Sequence, residues 1–241
     1  LDVRGWKLED GGSLAGSQNR RGNYLKPLLI FDLDGTLFRT ETVDVFAFNE
    51  ALASIGYPPK TQDEIMSFVG LPLDGICREM LKSDDSELLS KFKQDVINNE
   101  SLAIPQMGKF YDGAIEMLKR LENSGFLLCI CSNGNKEYIC DIANAFGLND
   151  IFDEIWYEKS GITKSDAVNV LKKKYNAQKF IMIGDRLVDI QAAKDNAGVS
   201  IGVSYGYGKD EVLEADYVAC SISELEELIF KLTRDEKCSL L

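Results

Sequence analysis

A chain of 241 residues with 39 acidic and 27 basic side chains carries a formal charge of −12, and it holds no histidine. That absence excludes a Ser-His-Asp triad, a Cys-His dyad and His-ligated zinc, so acid–base work falls to carboxylates, Lys, Tyr or Cys. The acidic balance argues against nucleic acid or an anionic membrane as partner, since both are held by basic patches, and no apolar run approaches the roughly 20 residues of a membrane span.

Residues 1–24 contain Gly11-Gly12-Ser13-Leu14-Ala15-Gly16-Ser17 and no apolar periodicity, so they read as a leader or disordered tail; without an apolar h-region they are not a signal peptide. Leu28–Phe31 is then a short apolar run of the kind that forms a buried strand. Phe126–Cys131, Phe180–Ile183, Val199–Val203 and Tyr217–Cys220 repeat it. Helical patterns alternate with them over Ala114–Asn123, Glu137–Phe146, Asp166–Lys174 and Val188–Asn196, and Ser223–Leu232 closes the chain. Strand–helix alternation predicts an α/β fold: a doubly wound, mainly parallel sheet of Rossmann-like type. Between the first strand and Tyr111 the rhythm breaks. Thr42–Ile55, Thr61–Phe68, Leu73–Leu81 and Ser86–Asn98 show helical period and no convincing strand. The economical reading is a small all-helical cap, residues 41–107, inserted after the first strand into a core formed by 25–40 and 108–241. The six cysteines include no C-x-x-C pair and read as reduced thiols, which fits a cytoplasmic location; Cys238-Ser239-Leu240-Leu241 has the form of a prenylation box, read as coincidence without a second lipid signal.

In a parallel α/β sheet, ligands collect at the carboxyl ends of the strands. Asp32-Leu33-Asp34-Gly35-Thr36 follows the first strand, Ser132-Asn133-Gly134 the second apolar run, and Gly184-Asp185-Arg186 the third, with Asp189 one helical turn on. Asp32 and Asp34 are two apart, so in extended chain their side chains share a face. With Asp185 they form a group of carboxylates that repel one another unless a cation sits among them, and all-oxygen ligands favour a hard ion, Mg²⁺ first.

Asp32-Leu33-Asp34-Gly35-Thr36-Leu37 resembles the first motif of the haloacid dehalogenase-like phosphatases. Ser132-Asn133 resembles the second motif, Lys164 in Gly161-Ile162-Thr163-Lys164 the third, and Gly184-Asp185-Arg186-Leu187-Val188-Asp189 the acidic fourth. Gly206-Tyr207-Gly208 and the helical insert resemble the phosphoglycolate phosphatase branch. The resemblance implies that Asp32 is the nucleophile and forms an aspartyl-phosphate, and that Asp34 is the general acid and base. It also implies that Ser132, Asn133 and Lys164 bind the phosphoryl group. Mg²⁺ would be held by Asp32, the main-chain carbonyl of Asp34 and Asp185, with Asp189 behind them or holding Lys164. The break Phe68-Val69-Gly70-Leu71-Pro72-Leu73 is similar to the family's specificity loop.

The expected activity is hydrolysis of a small phosphorylated metabolite, phosphoglycolate first. The insert carries 12 acidic and 5 basic residues from Glu41 to Met107, which would repel a polyanion. A sugar phosphomutase of the same fold resembles the chain but uses a cap His that is absent here. A phospho-accepting receiver would be about half as long, and a non-catalytic phosphate binder would be expected to have lost a motif residue. The choice between monomer and homodimer stays open.

Overall fold

The computed structural model describes residues 28–208 and 210–234. The leader and the Cys238-Ser239-Leu240-Leu241 box lie outside the described residues.

Among the described residues six parallel strands make one sheet: β1 (Leu28–Phe31), β2 (Leu127–Cys131), β3 (Glu154–Trp156), β4 (Phe180–Gly184), β5 (Val199–Val203) and β6 (Tyr217–Ala219), in the order β3-β2-β1-β4-β5-β6. β1 is central, with Leu28 in register with Leu127 of β2 on one side and with Phe180 of β4 on the other. The chain leaves β1 first toward β2 and later returns to β4, so the winding reverses beside β1. The carboxyl ends of β1, β2 and β4 therefore open into one crevice, where such sheets bind ligands.

Strand alternation sorts the apolar residues onto two faces. Leu29, Phe31, Leu128, Ile130, Ile181 and Ile183 face α5 (Ala114–Asn123), α6 (Lys136–Phe146) and α9 (Ile222–Arg234) through Leu118, Ile139 and Leu225. Leu28, Ile30, Cys129, Cys131 and Met182 face α7 (Lys164–Lys174) and α8 (Leu187–Asp195) through Val168, Leu171 and Ala193. Both faces are covered, which is why the strands read as near-continuous apolar runs. Cys77, Cys129 and Cys131 are buried free thiols.

Between β1 and α5 the described chain is helical: α1 (Glu41–Ser54), α2 (Gln62–Met66), α3 (Leu73–Leu81) and α4 (Ser86–Met107). These helices share an apolar cluster of their own, built around Phe48, Leu52, Ile65, Ile76, Met80, Phe92 and Val96. None of the described helices is long and apolar enough to cross a membrane.

Two elements depart from the sequence expectation. β3 went unread because an edge strand of three residues needs little apolar signal; Glu154 sits in it and pairs with Lys174 at 2.7 Å. α4 runs past Asn98 to Met107 with Pro105 inside its last turns. Pro105 removes the donor that would reach the Ser101 carbonyl, and the helix ends two residues later.

Candidate active site

The loop after β1 turns sharply at Gly35, whose φ is +73°. A side chain there would also collide with the Asp185 carboxylate, so glycine is required twice over. The turn leaves Asp32 at the strand end and carries Asp34 into the same crevice. Both are buried, at 4% and 9% exposure.

Lys164 is the first residue of α7, after the Thr163 N-cap, whose hydroxyl and the Asp166 carboxylate form a capping box. From there its ammonium reaches Asp32 Oδ1 at 2.7 Å and Asp189 Oδ1 at 2.6 Å. Asp189, in the first turn of α8, accepts the Arg186 backbone N–H on its other oxygen at 3.0 Å. Burial alone would lower the Lys164 pKa; Asp189 and Asp32 outweigh it and raise the ammonium above its ordinary value. For Asp32, burial raises the carboxyl, Lys164 opposes that, and Asp189, Asp185 and Asp34 add to it.

Asp34 is held differently. The Tyr138 hydroxyl donates to its Oδ1 at 2.7 Å, the Thr40 hydroxyl to the same oxygen at 2.8 Å, and the Ser132 hydroxyl to Oδ2 at 3.3 Å. Thr40 is the N-cap of α1 yet makes no side-chain cap; its hydroxyl goes to Asp34 instead. Burial raises Asp34 above its ordinary value, and the three hydroxyl bonds only partly offset this. A carboxyl so placed keeps its proton more readily than a surface one, as a general acid requires.

Asp185 closes the floor. The Tyr207 backbone N–H donates to its Oδ2 at 2.6 Å, while Oδ1 is buried with no hydrogen-bond partner among the described residues. Burial first, then Asp189, pushes this carboxyl up to about 7. Carboxylate oxygens of Asp32, Asp185 and Asp189 lie within 4.8 Å of one another. Asp189 is committed to Lys164 and Arg186, and the Asp34 carboxylate to its hydroxyl donors. Asp32 and Asp185 are left with carboxylate oxygens that can face a cation. The orphaned Asp185 oxygen and the all-oxygen donor set fit a hard divalent ion.

Above this floor the insert supplies a roof. The cavity between them, of about 40 Å³, is lined below by Asp32, Asp34, Ser132, Asn133 and Lys164, and above by Phe48, Val69, Gly70, Leu71, Leu73 and Ile76. The break after α2 thus borders the site. Asn133 lines it too, with its amide nitrogen donating to the Gly70 carbonyl at 2.9 Å. Arg186 stays off the cavity wall and pairs with Glu211 at 3.1 Å.

Five side chains at this site went unread in the sequence: Thr40, Asp44, Glu100, Asn135 and Tyr138 all line the cavity. Two of them had a legible signal. Asp44 sits four residues before Phe48 on the buried stripe of α1, and Glu100 follows Phe92 and Val96 at spacings of four on the buried stripe of α4. An acidic residue on an apolar stripe is the anomaly to look for.

With this geometry in view, comparison with known proteins is informative. Residues 29–203 match the family model described as haloacid dehalogenase-like hydrolase. A phosphoglycolate phosphatase of Agrobacterium fabrum is 30% identical over 223 residues, covering 86% of this chain and 96% of its own. The pyrophosphatase PpaX of Halalkalibacterium halodurans is 29% identical over 83% of this chain and 95% of its own. The crystal structure of a predicted phosphatase from Clostridium acetobutylicum superposes with a TM-score of 0.75 at 28% identity, covering 86% of this chain and 100% of that one. The chain belongs to the haloacid dehalogenase-like hydrolases, and it is one of the phosphatases among them.

Proposed function

We propose that the protein hydrolyses a small phosphate monoester through an aspartyl-phosphate on Asp32, with Mg²⁺ as its ion. The observation that carries this reading is the division of labour between two buried carboxylates at one strand end. Asp32 is bound on one oxygen by Lys164 and has the other free to attack. Asp34 is fixed by Thr40, Tyr138 and Ser132, two residues away, where it can serve as an acid.

In the first half-reaction a carboxylate oxygen of Asp32 attacks phosphorus, the bond to the ester oxygen breaks, and Asp34 gives that oxygen a proton. In the second, Asp34 takes a proton from water as it attacks the aspartyl-phosphate, returning Asp32 and releasing phosphate. With substrate present the Ser132 hydroxyl turns from Asp34 Oδ2 to donate to a phosphoryl oxygen, leaving that carboxyl oxygen to carry the proton. Lys164 offsets charge on Asp32 and the phosphoryl group, as a compact point charge does well. When bound by Asp32, Asp185 and the Asp34 carbonyl, Mg²⁺ would supply charge neutralisation for a dianion entering a carboxylate-lined site.

The roof supports a small substrate: it covers a cavity of about 40 Å³ with Phe48, Val69, Leu71 and Ile76. Phosphoglycolate, the substrate named for several relatives, is the first ester to assay. The test is phosphate release from small monoesters with and without EDTA. Activity that disappears in chelator and returns with Mg²⁺ supports the reading, and full activity in chelator overturns it.

A further inference from the structure

The roof of the cavity contains a feature that phosphoryl transfer does not use. Asp44 of α1 and Glu100 of α4 both line the cavity and are buried, at 6% and 4% exposure. Asp44 Oδ1 and Glu100 Oε2 have no hydrogen-bond partner among the described residues. Asn135 lies beside Glu100 and favours its ionised form. The charges acting on the pair are negative: Asp34 on both, Glu41 on Asp44 and Asp141 on Glu100. Among the residues lining the cavity Lys164 is the one cation, and it is already held by Asp32 and Asp189 on the floor.

Such a roof is poorly suited to a substrate carboxylate. It would set a further negative charge against two buried carboxyls, with no guanidinium or ammonium near to receive it. An ammonium does the reverse. It brings three donors to a place with two unpartnered oxygens, and it favours the ionised form of carboxyls whose protons burial otherwise retains. Hydroxyls would satisfy the acceptors but not the charge. The insert's other side chains on the lining, Phe48, Val69, Leu71, Leu73 and Ile76, are apolar and suit a short alkyl spacer.

Building on the phosphatase reading above, we infer that Asp44 and Glu100 form the leaving-group subsite for an ammonium, so that the ester is the phosphate of a short aliphatic amino alcohol. Hydrolysis then proceeds as derived: the phosphorus–oxygen ester bond breaks, the alcohol oxygen takes its proton from Asp34, and water supplies the oxygen of the released phosphate. The products are the free amino alcohol and inorganic phosphate.

The experiment compares kcat/KM for O-phosphoethanolamine, 3-aminopropyl phosphate, propyl phosphate and phosphoglycolate in the wild type, Asp44→Asn and Glu100→Gln. Each amide keeps the shape of its carboxyl and relieves buried repulsion, so both variants are expected to fold. The wild type should prefer an amine ester over propyl phosphate and phosphoglycolate by about ten- to hundredfold, the span of a charged hydrogen bond. In each variant that ratio should shrink about tenfold. Preference for phosphoglycolate or propyl phosphate overturns the subsite while leaving the phosphatase reading standing. An amine preference that both variants keep also overturns it. If no ester turns over, the small-monoester reading fails separately. Thermal protection of Asp32→Asn by the same four esters then decides the subsite: stronger protection by the amine esters sustains it, and equal protection overturns it.

Discussion

On the floor of the cavity Lys164 lies between Asp32 and Asp189, and three hydroxyls hold Asp34; in the roof Asp44 and Glu100 lie together, with no ion pair to either among the described residues. Both regions bury carboxylates at the same depth, so burial alone does not distinguish them. What differs is how much of the charge the chain answers itself. The floor leaves one gap, at Asp185 Oδ1, fitted to a hard ion; the roof leaves two acceptor oxygens on separate helices, better matched by an organic cation. A buried acid without its counter-ion thus points to the chemistry of what it binds.

The comparison breaks first at Asp32. Asp32→Asn should lower kcat by about four decades or more, the usual scale for a nucleophile, while Tm holds or rises as repulsion is relieved. Steady-state kinetics alongside thermal melting reads both. Asp34→Asn should cost about two to four decades on alkyl phosphates, but clearly less on p-nitrophenyl phosphate, whose leaving group needs no proton. Equal losses on the two esters would make Asp34 a structural residue.

Lys164→Met tests whether the floor is balanced by its own cation. It strands Asp32 and Asp189, and loss of one partner from a buried pair costs about 3–5 kcal/mol by denaturant unfolding. Saturating Mg²⁺ should recover part of that. Tyr138→Phe removes one of three donors to Asp34 and should lower kcat about tenfold, the scale of one hydrogen bond to a charged group. Because that bond holds the Asp34 pKa down, the limb of the pH–rate profile set by Asp34 should move to higher pH.

The smallest effect is the pH dependence of the roof. Burial and then Asp34 raise Glu100 to about 8, and burial and then Glu100 raise Asp44. The folded protein therefore holds protons that the unfolded chain has released. Stability from these groups is full below the ordinary carboxylate range and is lost as pH rises toward 8. Metal-free Tm should fall by several degrees between pH 5 and pH 8.5, and the slope should flatten in Asp44→Asn and Glu100→Gln.

The sheet was legible because central parallel strands are buried on both faces and leave dense apolar runs; β3, at the edge, was not. The floor was legible for a related reason. Strand ends are fixed by those runs, and Asp32, Asp34, Ser132 and Asp185 follow them directly. The roof was hidden because its residues meet through tertiary packing of helices. Glu100 fell beyond the expected end of α4 at Asn98, and Tyr138 sits in α6, where an aromatic on a buried face reads as core. Asn133, expected to meet substrate, lines the cavity but donates its amide to Gly70.

That last contact bears on traffic through the site. The Asn133 amide and the Gly70 carbonyl join the β2 end to the break after α2. A neutral hydrogen bond of this kind is worth about 1 kcal/mol, within a few multiples of thermal energy. The insert stays tied to the sheet elsewhere, because Val43 of α1 and Ala103 and Ile104 of α4 pack within the sheet's own apolar cluster. At Gly70, away from that packing, the wall of the reaction chamber is thus fastened to the β2 end by a light catch.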